Sequence, residues 1–118
     1  EVLAQNHPGG RDLFIGLMNK KVKDLGLTNT HFTNPAGLDG GAQYSTTRDL
    51  AVVAKEAMKN KTFAEIVGTK EKTVKSVDNR FTHRLLSTNE LLGKIEGVKG
   101  VKGFASDLVV APGFDVLS

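Results

Sequence analysis

Glu96-Gly97-Val98-Lys99-Gly100-Val101-Lys102-Gly103-Phe104-Ala105-Ser106 is the stretch whose reading decides the fold. β-Branched residues alternate there with glycine and lysine, which predicts a strand with little side-chain bulk on one face. Val98 and Val101 can pack, while the glycines let a second backbone or a ligand come close. Lys99 and Lys102 set positive charge beside that thin backbone. An exposed edge strand of this composition suits pairing with an extended peptide and holding its carboxylate. A second reading stands beside it: lysine on a sheet edge can serve only to block edge-to-edge aggregation.

Outward from this strand, length and composition set the frame. The chain has 118 residues, the size of one domain or part of one. Its 16 basic and 13 acidic residues give a formal charge of +3 and are spread along the chain, which argues against nucleic acid as a partner. Cysteine is absent, so disulfides and thiolate metal sites are excluded within these residues. No apolar run approaches the ~20 residues of a membrane span. The chain opens on Glu1-Val2-Leu3-Ala4 without Met and already in an apolar pattern, which reads as a cut rather than a natural start.

Upstream of the strand the helical signals dominate. Glu1 to Gln5 reads as the tail of a helix, broken by Asn6-His7-Pro8-Gly9-Gly10. From Arg11 to Leu25, Leu13, Phe14, Leu17, Met18, Val22 and Leu25 recur in steps of three and four, and Gly26 stands where a left-handed cap is wanted. Leu27 to Asp39 is a loop, with a turn at Asn34-Pro35 and a positive φ expected at Gly37, and Gly40-Gly41 extends it. Thr46 and Asp49 resemble a capping box before a helix that buries Leu50, Val53, Ala54, Ala57 and Met58 and runs to Asn60. Thr62 and Glu65 repeat that signature for a short helix, Phe63 to Val67, stopped by Gly68.

Beyond Gly68 the pattern changes. Thr69 to Val77 suits an exposed, lysine-guarded strand, Asp78-Asn79 a turn, and Phe81 to Leu92 an apolar cluster of Leu85, Leu86, Leu91 and Leu92. Asp107 to Ala111 reads as a further short strand, and Pro112-Gly113 as the end of regular structure. Residues 1–68 are thus expected to be mainly helical and 69–118 to hold strands and connections, together one partial α+β domain.

The chemistry-bearing residues do not assemble into a catalytic set. His7, His31 and His83 lack the spacing of a local metal motif. Ser-x-x-Lys does not occur; Ser87-Thr88-Asn89 fits Ser-x-Asn, a short pattern that chance supplies readily. Ser106 lies near Lys102 in sequence, but a serine needs a base within hydrogen-bond reach.

Five segments nonetheless stand in a recognisable order: Phe14-Ile15-Gly16-Leu17-Met18-Asn19-Lys20-Lys21, Leu25 to Asp39 with His31-Phe32-Thr33-Asn34-Pro35-Ala36-Gly37-Leu38, Tyr44-Ser45-Thr46-Thr47-Arg48-Asp49-Leu50-Ala51, Arg84 to Leu92, and Glu96 to Phe104. From about Glu1 to Ser106 the chain resembles the serine-type D-alanyl-D-alanine carboxypeptidases, low-molecular-mass penicillin-binding proteins. The resemblance implies part of a β-lactamase-like α+β fold, a helical subdomain with antiparallel strands. It also implies a site built from Ser-x-x-Lys, Ser-x-Asn and Lys-Thr-Gly.

In that family the serine is acylated by the penultimate D-Ala of a peptidoglycan stem peptide, and the Lys-Thr-Gly strand holds the terminal carboxylate. Carried over, Lys102 and Gly103 take the first and last positions of that motif; its threonine is missing, since Val101-Lys102-Gly103 runs on directly. Ser87-Thr88-Asn89 falls in a different family segment from the functional Ser-x-Asn. The implied partners are a stem peptide or a β-lactam, outside the cytoplasm, with no metal or other cofactor. Two functions follow as expectations: a carboxypeptidase whose nucleophile is not in these residues, or a non-catalytic module that binds peptides or a partner through the lysine-glycine edge. Apolar faces left open around that strand are further expected to favour self-association.

Overall fold

The computed structural model describes residues 1–38, 41–102 and 115–117. Among these residues four helices precede four strands: α1 Val2–Gln5, α2 Gly10–Asp24, α3 Thr47–Ala57, α4 Lys61–Val67, then β1 Glu71–Lys75, β2 Thr82–Leu86, β3 Val98–Lys102 and β4 Asp115–Leu117. The described residues fall into two compact units, Glu1–Val53 and the remainder from Ala54 on, with α3 running through the division. No helix among them is long and apolar enough to cross a membrane.

In the first unit α1 packs on α2, and the buried apolar positions include Ala4 and Val22. Gly9 ends the connection in a left-handed conformation at φ 93°, where a β-carbon would also meet the Leu13 side chain, so the Pro-Gly-Gly break is sterically specified. Gly26 takes φ 72° behind α2, in keeping with its expected capping role, and Gly37 takes φ 73°.

The loop after α2 has almost no regular structure of its own. It is held by side chains. Asn19, on α2, binds both backbone groups of Phe32. Gln43 Oε1 accepts from the N–H groups of Thr33 at 3.0 Å and Asn34 at 3.2 Å, while its Nε2 donates to the Leu38 carbonyl. Asn34 Oδ1 accepts from Ala36 and Leu38, an Asx turn that presets the Pro35 corner. A single antiparallel bridge, His31 to Tyr44, closes the base.

α3 begins as the Thr46-Asp49 pair implies, with the Asp49 N–H donating to Thr46 Oγ1 at 3.1 Å. The return arm of a capping box is replaced. The Asp49 carboxylate instead accepts from Thr30 Oγ1 at 2.8 Å and from the Asn29 N–H at 3.2 Å, and Asp49 is only 6% exposed. The helix stops at Ala57 rather than Asn60, because Asn60 is needed elsewhere. Its side chain accepts from the Phe63 N–H at 3.1 Å and caps α4, which therefore starts at Lys61. The cap expected at Thr62 lies inside the helix.

In the second unit β1 and β2 form an antiparallel hairpin in the register Glu71↔Leu86 and Val74↔His83. Asn79 turns the chain at φ 57°, as Asp78-Asn79 implied, with Asp78 Oδ1 accepting from the Arg80 N–H. The leucines expected to cluster divide instead. Leu85 and Leu86 lie on an exposed strand, whereas Leu92 is buried beyond it. A two-stranded sheet closes too little around the hairpin leucines to bury them.

Candidate functional site

The lysine-glycine stretch forms β3 over Val98–Lys102, entered through Gly97 at φ 88°. Lys102, the cation expected to hold a carboxylate, occupies the last position of the strand. Gly103 lies outside the described residues, as do Asp39, Gly40, Ser106 and the strand expected over Asp107 to Ala111.

Regular structure does not end at Pro112-Gly113. β4 follows over Asp115–Leu117 and pairs antiparallel with β3, Val98 opposite Leu117 and Lys102 opposite Asp115, with an irregular step between the two pairs. β3 is therefore paired along one side. A short Asp-Val-Leu strand following Pro112-Gly113 in the sequence carries too few residues to announce itself by alternation. Among the described residues the sheet consists of β3 and β4 alone, and β3 has no second strand partner there.

The other chemistry-bearing residues serve the fold. Ser87 Oγ accepts from the Asn89 N–H and Asn89 Oδ1 from the Leu91 N–H, so Ser87-Thr88-Asn89 is a turn motif. His7 packs edge-on against Phe14 at 5.5 Å, His31 lies against Tyr44 at 6.0 Å, and His83 sits on exposed β2. Among the described residues no group of three His, Cys, Asp or Glu converges as metal ligands would.

Three exposed carboxylates are held by hydrogen bonds. The Arg84 guanidinium binds both carboxylate oxygens of Glu71 across the hairpin, and that hydrogen bonding holds the Glu71 carboxyl below its usual range. Arg11 does the same to Glu1, and Ser76 with the Arg80 N–H to Asp78.

Against known families, the sequence profile described as D-alanyl-D-alanine carboxypeptidase matches residues 2–107. The chain belongs to this family. It is 45% identical over 93 residues to the D-alanyl-D-alanine carboxypeptidase of Streptomyces sp. K15, covering 75% of this chain and 32% of that one. It is 40% identical over 101 residues to DacF of Bacillus subtilis, covering 85% of this chain and 25% of that one. The crystal structure of the Streptomyces K15 DD-transpeptidase superposes with a TM-score of 0.80 at 39% identity, over 89% of this chain and 44% of that chain. A D-alanyl-D-alanine carboxypeptidase structure from Mycobacterium tuberculosis gives a TM-score of 0.68 at 37% identity, over 78% and 35%. The chain spans a quarter to a third of the length of these curated relatives, and its α+β fold is part of the penicillin-binding DD-peptidase fold.

The Gln43 and Asn19 clamps were missed from sequence. Both residues stand beside the His31-to-Leu38 family segment, and an amide side chain next to a loop rich in unpaired backbone groups was the available signal.

Proposed function

We propose that this chain is the substrate-gripping part of a D-alanyl-D-alanine carboxypeptidase, the enzyme class that removes the terminal D-Ala of peptidoglycan stem peptides outside the cytoplasm. The substrate lies along the unpaired edge of β3, and Lys102, with Gly103 beside it, receives its terminal carboxylate. The observation that carries this reading is the coincidence of family membership over residues 2–107 with a lysine-bearing strand that has one edge unpaired among the described residues.

The reaction of the family passes through an acyl-serine, which needs a serine with a base in hydrogen-bond reach. The 118 residues contain no Ser-x-x-Lys. Binding and bond cleavage therefore separate here: the chain holds the peptide and does not cut it. Incubation with labelled penicillin leaves the isolated chain without a covalent adduct, while a D-Ala–D-Ala peptide perturbs β3. Stoichiometric covalent labelling would overturn the separation, and a silent β3 would overturn the binding.

A further inference from the structure

The second unit contains an open groove of about 640 Å³ between α4 and the β1–β2 hairpin. Its position follows from the strand register. Lys72 and Val74 of β1 share one hairpin face with Leu85 of β2, and that face stands opposite Phe63 and Ile66 of α4. The apolar side chains along it are poorly covered: Ile66 is 67% exposed and Leu85 54%. A cluster of this kind rimmed by charge has the composition of an interface.

Two further observations point to an occupant. Asn89, only 5% exposed, lines the groove, and its Nδ2 has no hydrogen-bond partner although its Oδ1 is used. An unsatisfied buried donor costs about 1–3 kcal/mol, so an acceptor delivered into the groove is favoured. The charges on the two walls are also opposite: Glu65 on α4 and Lys72 on β1. A two-fold axis running along such a groove sets the negative wall of one copy against the positive wall of the other.

We propose that this groove is the contact surface for a second copy of the chain, in an isologous dimer where Glu65 of each protomer faces Lys72 of its partner. Ile66 and Leu85 of both copies fill the shared space, and a partner oxygen reaches Asn89 Nδ2. The surface uses no residue of β3, although α4 lies against that strand; the dimer is read from mass and the substrate proposal from β3 amides, so the two fail distinguishably.

Charge reversal tests it on the whole chain. Light scattering after gel filtration gives a dimer for the unaltered protein. Lys72→Glu and Glu65→Lys each weaken dimerisation at least tenfold, because like charges then meet across the axis, and the Glu65→Lys/Lys72→Glu double variant recovers it. Both positions are exposed, and far-ultraviolet circular dichroism confirms that each variant keeps its helices. Leu85→Lys abolishes the dimer. A monomer at every concentration overturns the proposal. So does a dimer indifferent to these changes, or one that the double variant fails to restore; capture of a different polypeptide by a monomeric chain also counts against it.

Discussion

Asn19 and Phe32 exchange two hydrogen bonds: the Asn19 amide donates to the Phe32 carbonyl at 2.7 Å and accepts from its N–H at 2.8 Å. One side chain on α2 thereby imitates the partner strand that the loop lacks. The long connection between α2 and α3 can hold a fixed path because its backbone groups are bound by amides instead of a sheet.

Asn19→Ala leaves both groups of Phe32 unpaired in a half-buried setting. The expected cost is about 1–3 kcal/mol, read from urea unfolding, with Asn19→Asp between the two because it keeps the acceptor and loses the donor. An unchanged midpoint for Asn19→Ala would show that the loop is held from elsewhere.

Asp49 makes the equivalent link at the other end of the loop. Asp49→Ala removes the acceptor for Thr30 Oγ1 and the Asn29 N–H as well as a group at the first turn of α3. A loss of about 2–4 kcal/mol is expected, with Asp49→Asn recovering part of it. Hydrogen exchange localises the effect to residues 28–31 and the start of α3; exchange rising elsewhere but not there would contradict the link.

Asn60 and Thr62 offer a direct comparison of two candidate caps. Asn60→Ala lowers stability by about 0.5–2 kcal/mol, because the Phe63 N–H loses its acceptor. Thr62→Ala is neutral or slightly stabilising, since alanine is the better helix former inside α4. The opposite ranking would return the helix start to Thr62.

The Glu71–Arg84 pair sets a pH response. The folded Glu71 pKa is lowered, chiefly by the hydrogen bond from Arg84, so its contribution is present above the unfolded carboxylate pKa and is lost as pH falls through the folded value. Arg84→Ala raises the Glu71 pKa back toward the ordinary range in a carboxyl-carbon NMR titration and removes this small acid sensitivity. Because the pair is exposed, added salt diminishes the effect. A titration unmoved by Arg84→Ala would show that the pair does not form in solution.

The elements legible in sequence were those whose signal is local and repeated. The stripe from Leu13 to Val22 announced α2, Gly26 its end, and alternating valines with glycine and lysine announced β3. The structure differs from the sequence pattern at Asn60 and Leu85 for one physical reason: each depends on what the residue faces. Asn60 could have closed α3 or opened α4, and only the Phe63 N–H decides. Leu85 and Leu86 carry the composition of a core but lie on a hairpin that leaves them largely exposed. At the site, the place of Lys102 on its strand was legible, whereas the pairing of β3 with β4 required a contact across intervening residues that three short residues could not signal.

The most direct test of the substrate proposal is an amide-resolved NMR titration of the intact chain with an N-acylated peptide ending in D-Ala–D-Ala. The account predicts saturable shifts confined to Val98–Lys102 and its immediate neighbours, lost when the peptide terminus is amidated or when Lys102→Gln removes the cation. Shifts elsewhere alone, or equal shifts with the amidated peptide, would contradict it.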